Sequence, residues 1–125
     1  MNKVDMKKRV MIFDDDEAIL EVLQLVLSNA GYEIEVSNTS NDVLADVSAF
    51  QPDIILMDHH IPAIGGIEAT RLLREHGDFG RIPVLYVSAS NNIEKYKETS
   101  GADDYIKKPF DIDHLEAKIA NYLTT

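Results

Sequence analysis

Short apolar runs alternate with longer stretches of helical period along the whole chain, which is typical of strands and helices that take turns. The five predicted strands are Val10–Phe13, Tyr32–Val36, Ile54–Met57, Ile82–Val87 and Asp104–Ile106. A predicted helix follows each strand. Because parallel strands joined through helices need right-handed crossovers, the alternation predicts an α/β fold with one five-stranded parallel sheet and helices on both faces.

The first and last predicted helices have the clearest apolar stripes. The stripe of the first helix consists of Ile19, Val22, Leu23, Val26 and Ala30. Gly31 supplies its C-terminal stop. The stripe of the last helix, at Ile112–Leu123, consists of Ile112, Leu115, Ile119 and Tyr122. Asp111 directly precedes that helix and is expected to cap it.

The remaining helices are predicted at Asn41–Phe50, Gly66–His76 and Asn91–Ser100. The helix at Asn91–Ser100 offers only Ile93 and Tyr96 as sizeable apolar residues, so we expect it to be the least firmly packed.

The patterns of the strands predict different degrees of burial. The run at Tyr32–Val36 alternates apolar and acidic residues and predicts an edge strand, whereas Ile54–Met57 and Ile82–Val87 are continuously apolar and predict central strands.

Composition and charge narrow the functional classes. The net charge of −10 argues against direct binding to nucleic acid or to an anionic membrane. The absence of cysteine excludes disulfides, zinc–thiolate sites, iron–sulfur clusters and thiol nucleophiles. No apolar run approaches the roughly 18 residues of a membrane helix. At 125 residues, the chain is expected to form a single domain. Because it lacks cysteine and a membrane helix, that domain is expected to be cytoplasmic.

Polar residues that could carry chemistry follow four of the five strands. They are Asp14, Asp15 and Asp16, then Asp58, then Ser88, and finally Lys107 and Lys108. In an open parallel sheet, ligands bind beyond the carboxyl ends of the strands, so these side chains are expected to meet. Because consecutive strand residues point to opposite faces, only one of the two lysines should reach the site.

A cluster of carboxylates stays ionised only if a cation or a lysine neutralises it. With one lysine, Asp14, Asp15 and Asp58 would leave a net charge of −2, which one divalent ion would cancel, and oxygen ligands favour Mg²⁺. A metal, a hydroxyl and an ammonium around a carboxylate are the groups that stabilise a transferring phosphoryl group, so Asp58 would be the nucleophile. The alternative is that the acidic triplet is only a helix cap with solvated charge.

Four strings taken in order resemble the response-regulator receiver domain of two-component signalling. They are residues 12–20, residues 52–58 continuing to Pro62 and Gly66, the pair Ser88 and Ala89, and residues 101–110. The resemblance covers about residues 8–123 of a domain expected to fill 1–125. It implies the flavodoxin-like strand order 2-1-3-4-5.

Carried over residue by residue, the resemblance implies that Asp58 accepts a phosphoryl group from a sensor histidine kinase or phosphotransfer protein. Asp15 and Asp58 would bind Mg²⁺ with help from Asp14 and the backbone carbonyl of His60. Ser88 and Lys108 would contact the phosphoryl oxygens.

The resemblance also implies a switch. Tyr105 would change rotamer on phosphorylation, and the face formed by residues 91–123 would change shape for a downstream protein partner. The bond between Lys108 and Pro109 would be cis. Such a domain is a phosphoacceptor with autocatalytic phosphorylation and dephosphorylation only, rather than an enzyme.

The sequence departs from the family pattern at Ala63, Gly65 and Asp16, which are expected to affect loop and capping geometry more than chemistry. His59 and His60, directly after the acceptor, are its least ordinary feature. We expect His60 to modulate dephosphorylation by positioning or blocking water. A histidine metal site involving His76 or His114 is an alternative.

Two other functions compete. Asp14 and Asp16 also fit the start of haloacid-dehalogenase-like phosphatases, as nucleophile and acid, although the chain is short for that class and has no late acidic magnesium motif. A receiver-like binding module that works without phosphate is the second alternative.

Overall fold

The computed structural model of the protein describes residues 7–123. Its strands are β1 (Arg9–Phe13), β2 (Glu33–Ser37), β3 (Ile54–Asp58), β4 (Val84–Ser88) and β5 (Asp104–Lys107). Its helices are α1 (Glu17–Asn29), α2 (Val43–Phe50), α3 (Gly65–Glu75), α4 (Ile93–Ser100) and α5 (Ile112–Leu123). All ten predicted elements are present, with ends shifted by at most a few residues.

The five strands form one parallel sheet in the order β2-β1-β3-β4-β5, as expected. Two cores cover its faces. On one face, side chains of α2, α3 and α4 pack on the sheet, and on the other α1 and α5 do so. The sheet is therefore enclosed by helices on both sides, which confirms the flavodoxin-like architecture.

The predicted roles of the strands are also confirmed. Every residue of β3 and β4 is buried, while β2 lies at the edge with half-buried and exposed residues in alternation. A strand enclosed on both faces needs apolar residues throughout, whereas an edge strand can place charged side chains in water.

The apolar stripe predicted for α1 is wrong in part. The buried residues are Leu20, Leu23 and Leu27, while Val22 is 47% exposed. Ala30 is exposed as well and lies just beyond the helix. Because apolar residues surround most of this helix, periodicity alone does not select the buried face, and packing on the sheet does.

The last helix follows its prediction closely. Leu115 and Ile119 are buried, and Ile112 and Tyr122 pack against the same core. A carboxylate oxygen of Asp111 accepts a hydrogen bond from the amide of Asp113 at 3.1 Å, which caps the helix. The looser packing expected of α4 stays a prediction. Within residues 7–123, no helix is long and apolar enough to cross a membrane.

Candidate functional site

The carboxyl ends of the strands bring the predicted side chains together. The Lys108 ammonium lies 3.0 Å from Oδ2 of Asp14 and 2.8 Å from Oδ1 of Asp58. Carboxylate oxygens of Asp14, Asp15 and Asp58 all lie within 4.8 Å of one another. Asp14 follows β1 and Asp58 ends the neighbouring β3, whose residues pair in register up to Phe13 and Met57, so the two carboxylates meet because their strands are adjacent.

Backbone amides hold the two buried carboxylates in place. Oδ1 of Asp14 accepts from the amide of Asp16 at 2.9 Å, and Oδ2 of Asp58 accepts from the amide of His60 at 2.9 Å. Asp14 and Asp58 are only 3% and 4% exposed, whereas Asp15 is open to solvent. The site thus has a fixed, buried floor and one accessible carboxylate at its mouth.

The charges in the site depend on one another. Burial raises the pKa of Asp14, helped by the negative charge of Asp58, although hydrogen bonds from the Asp16 amide and from Lys108 oppose the rise. Burial acts to lower the pKa of Lys108, but hydrogen bonds to Asp58 and Asp14 outweigh it and leave that pKa raised. Lys108 therefore keeps its positive charge at neutral pH, between the two buried carboxylates.

The donor set fits Mg²⁺. Only carboxylate oxygens converge there, three negative charges face one ammonium, and Asp15 remains open for a metal that retains part of its water shell. Within the described part of the chain, no other group of three histidine, aspartate or glutamate side chains is close enough to hold a metal.

The two lysines diverge as the strand pleat requires. Lys108 points into the site, while the Lys107 ammonium is exposed and donates to the side-chain oxygen of Asn91. The expectation that only one lysine enters the site is confirmed. The bond between Lys108 and Pro109 is cis, also as expected.

Ser88 and Tyr105 lie on the two strands beyond β3, at the end of β4 and on β5. Ser88 ends β4, is 2% exposed, and its hydroxyl oxygen accepts a hydrogen bond from the amide of Ser90 at 3.1 Å. Because Asp58 pairs with Val87, Ser88 is one residue beyond Asp58 along the neighbouring strand. Tyr105 is half-buried on β5 and packs against the core formed with α2, α3 and α4.

The two histidines after Asp58 differ in their surroundings. The side chain of His60 is exposed. The ring of His59 is half-buried, lies parallel to the ring of Tyr96 at 4.1 Å, and places Nδ1 2.6 Å from the hydroxyl of Tyr86. Burial lowers the pKa of His59, and the neighbouring His60 lowers it further, against the opposing pull of Asp58.

Sequence reasoning missed the contacts of His59. A rare residue type directly after Asp58 was the available signal, but the partners of His59 lie on β4 and α4, far along the chain. The alternative histidine metal site gains no support, since His76 instead stacks on Phe79 and accepts from the amide of Asp78 through Nδ1.

The phosphatase alternative needs Asp16 as a free acid. The Asp16 carboxylate instead accepts from the amides of Ala18 at 3.0 Å and Ile19 at 3.3 Å, which makes it the N-cap of α1. Its proposed nucleophile, Asp14, is bound by Lys108. Of the three consecutive aspartates, Asp16 is therefore a helix cap, whereas Asp14 and Asp15 remain candidate metal ligands.

Comparison with known proteins agrees with this geometry. The family model of the response regulator receiver domain matches residues 10–120. Response regulator MprA of Mycobacterium leprae is 35% identical over 113 residues, which are 89% of this chain and 49% of that protein. The CAI-1 autoinducer sensor kinase/phosphatase CqsS of Vibrio cholerae is 34% identical over 121 residues, which are 94% of this chain and 18% of that protein. The chain thus spans half or less of the length of these two relatives.

A solved structure gives the same answer for the fold. The chemotaxis response regulator CheY4 of Vibrio cholerae superposes with a TM-score of 0.86 at 25% sequence identity, covering 94% of this chain and all of that one. The chain belongs to the response regulator receiver family, the phosphoacceptor switch domains of two-component signalling.

Proposed function

We propose that Asp58 accepts a phosphoryl group from a sensor histidine kinase or a phosphotransfer protein. The observation that carries this assignment is the position of the Lys108 ammonium. It lies within 3.0 Å of the buried carboxylates of Asp14 and Asp58, at the carboxyl ends of the strands. Asp14 and Asp15 would hold Mg²⁺ with Asp58 and the backbone carbonyl of His60. Bound there, Mg²⁺ would neutralise the negative charge that develops on the phosphoryl oxygens.

The residues of the chain divide the remaining work. A carboxylate oxygen of Asp58 attacks phosphorus, and the bond to the donor histidine breaks with its electron pair returning to the imidazole. Lys108 pairs with the transferred group, and the Ser88 hydroxyl donates to one of its oxygens. The fixed floor of the site keeps these groups oriented before the donor arrives.

We propose that the phosphoryl group is also lost by autocatalytic hydrolysis, in which His60 positions or blocks the attacking water. The exposed side chain of His60 and the bond from its amide to Asp58 support this role. His60→Ala should change the lifetime of the phosphorylated protein without changing how much phosphate it accepts. An unchanged lifetime would contradict the role.

The output would be a change on the face formed by residues 91–123, with Tyr105 and Ser88 as the switch residues and a downstream protein as the partner. Tyr105 is half-buried, so its ring is neither enclosed in the core nor free in solvent, which supports a role as the residue that changes position. The net charge of −10 opposes direct contact with nucleic acid or anionic membranes. We propose that residues 1–125 form a single domain in the cytoplasm. A chain without cysteine has no disulfide to form, which suits a reducing compartment.

Phosphorylation with acetyl phosphate and Mg²⁺ tests the assignment. The wild-type protein should gain the mass of one phosphoryl group as an acid-labile adduct, and Asp58→Asn should abolish it. Asp46→Asn, a change on α2 away from the site, is the matched control and should be phosphorylated normally.

Two other results would count against Asp58 as the acceptor. Phosphate that stays on the Asp58→Asn variant and is lost from an Asp14→Asn variant would favour the phosphatase chemistry. No adduct in the wild-type protein would favour the binding module that works without phosphate.

A further inference from the structure

Three aromatic rings connect the acceptor aspartate with α4. His59 follows Asp58 directly, Tyr86 lies on β4, and Tyr96 lies on α4. The rings of His59 and Tyr96 are parallel within 2°, with centroids 4.1 Å apart. The hydroxyl of Tyr86 lies 2.6 Å from Nδ1 of His59. We refer to His59, Tyr86 and Tyr96 as the aromatic bridge.

The acceptor end of the bridge is held firmly. The amide of His59 donates to the carbonyl of Val87 at 2.8 Å, and its carbonyl accepts from the amide of Gly66 at 3.1 Å. Gly66 approaches so closely that a Cβ there would lie 2.9 Å from the Tyr86 hydroxyl and 2.6 Å from the Asp58 carbonyl. The backbone of His59 therefore has little freedom to move independently of Asp58, and the Tyr86 hydroxyl and the Tyr96 ring contact its side chain.

The other end of the bridge lies at the middle of α4. The buried residues of this helix are Ile93 at its start and Ser100 at its end, and half-buried Tyr96 lies between them. The sequence predicts that this helix is the least firmly packed, and a weakly packed element is easier to displace than a well-packed one. At the middle of this helix, Tyr96 contacts His59, the residue next to the acceptor.

We propose that His59 is a positioning residue that transmits the phosphorylation state of Asp58 to α4 through its stack on Tyr96. This inference rests on the proposed function, since it needs a phosphoryl group on Asp58. When the loop after Asp58 closes on that group, His59 must move with it, and the stacked ring favours the matching position of α4. An aromatic pair supports a change of about three- to tenfold in such an equilibrium.

Three variants separate the parts of the bridge. Tyr96→Leu removes the stacked ring, Tyr96→Phe keeps it, and Tyr86→Phe removes only the hydroxyl that orients His59. Tyr32→Leu makes the same chemical change in the other core, beside β2, and is the matched control. Each protein is first tested for acetyl phosphate labelling of Asp58, and then for amide hydrogen exchange of residues 93–100 with Mg²⁺, with and without beryllofluoride.

We expect beryllofluoride to change the exchange of residues 93–100 in the wild-type protein, Tyr96→Phe and Tyr32→Leu. In Tyr96→Leu that change should fall at least threefold, while Asp58 is still labelled. The affinity for beryllofluoride should shift by about three- to tenfold in the same variant, because coupling between two sites is reciprocal. Tyr86→Phe should also weaken the response, and its near-identical volume makes it the safer variant to fold.

A full response of α4 in both Tyr96→Leu and Tyr86→Phe would overturn the inference, as would an equal loss in Tyr32→Leu. If Tyr96→Leu does not fold, Tyr86→Phe decides alone. A wild-type protein that takes neither acetyl phosphate label nor beryllofluoride would instead refute the proposed function.

Discussion

Ala63, in the loop between β3 and α3, has a backbone conformation that favours glycine. Its φ is 84°, in the left-handed region. That region costs an L-residue about 1–2 kcal/mol, whereas glycine loses about 0.5–1 kcal/mol more backbone entropy on folding. Ala63→Gly should therefore raise the free energy of unfolding by about 0.5–1 kcal/mol, measured by urea denaturation.

The matched control for Ala63 lies inside a regular helix. Ala45 is exposed within α2, and Ala45→Gly should lower the free energy of unfolding by about 1 kcal/mol. Equal losses in the two variants would mean that Ala63 carries no strain.

Thr70 buries a hydroxyl that has no hydrogen-bond partner among residues 7–123. An unsatisfied buried polar group costs about 1–3 kcal/mol, and valine has nearly the same shape as threonine. We expect Thr70→Val to raise the free energy of unfolding by about 1 kcal/mol. The exposed Thr99→Val is the control and should change it by less than about 0.5 kcal/mol. A clear loss in Thr70→Val would show that the hydroxyl is bonded after all.

Most of the site could be predicted from the sequence, because its side chains directly follow or end the strands. The ends of β1, β3 and β5 fix where Asp14, Asp58 and Lys108 can lie, because parallel strands end at one edge of the sheet. The stack of His59 on Tyr96 could not be predicted in this way. It depends on the rotation of α4 and on side-chain directions that no spacing within one segment encodes.

Arg74, at the end of α3, connects this helix with the segments that lead into β4 and β5. Its guanidinium donates to the carbonyl oxygens of Gly101 at 2.6 Å, Ile82 at 2.8 Å and Gly80 at 3.3 Å, and it pairs with Asp103. A lysine cannot reproduce this planar set of donors. Arg74→Lys should lower the free energy of unfolding by about 2 kcal/mol, since two or more hydrogen bonds are lost at about 1 kcal/mol each.

Arg71 supplies the comparison for Arg74 on the same helix. It is exposed, and its one ion pair with the described residues is a 3.9 Å contact with Glu68, so Arg71→Lys should have almost no effect on denaturant unfolding. Similar losses in the two variants would argue against a specific role for the Arg74 contacts.

The ion pair between Asp104 on β5 and Lys118 on α5 predicts a pH dependence. Burial acts to raise the pKa of Asp104, but hydrogen bonds from Lys118 at 2.9 Å and from the Tyr105 amide at 2.8 Å outweigh it and lower that pKa. A lowered pKa stabilises the fold above the ordinary aspartate range, and this stability is lost as the pH falls through the folded value. Asp104→Asn should thus cost about 0.5–1 kcal/mol at neutral pH and progressively less in acid.

A double-mutant cycle with Lys118→Gln isolates this pair. The coupling in unfolding free energy should be present at pH 7 and vanish below the folded pKa of Asp104. A coupling that does not change with pH would contradict an ionic origin.

The sequence pattern predicts elements more reliably than it predicts the faces they bury. The alternation of short apolar runs with stretches of helical period located all five strands and helices. The enclosed strands β3 and β4 were the clearest, because a strand enclosed on both sides must be apolar throughout. The predicted face of α1 is wrong at Val22 and Ala30, since the buried residues are Leu20, Leu23 and Leu27, of which only Leu23 belongs to the predicted stripe. The choice between two apolar faces is made by the sheet and by the last helix, not within α1.

At the scale of the whole molecule, the chain has a net charge of −10, and three of its carboxylates share one ammonium at the carboxyl ends of the strands. A ligand that binds only the folded state stabilises it, so Mg²⁺ at about 100 times its Kd should raise the free energy of unfolding by about 2.7 kcal/mol. Asp15→Asn should lose most of this increment. Without metal, the same variant should be more stable than the wild-type protein, because one repelling charge is gone.

Ionic strength must be matched with NaCl in this comparison, since salt alone screens the acidic surface. Glu21→Gln, an exposed change on α1, is the control and should keep the full increment from Mg²⁺. Asp15→Asn is expected to be more stable than the wild-type protein without metal, but to gain less stability from Mg²⁺. This combination distinguishes a bound metal from general screening, which would stabilise all three proteins alike. Equal stabilisation by Mg²⁺ in Asp15→Asn and the wild-type protein would therefore exclude Asp15 from the metal site.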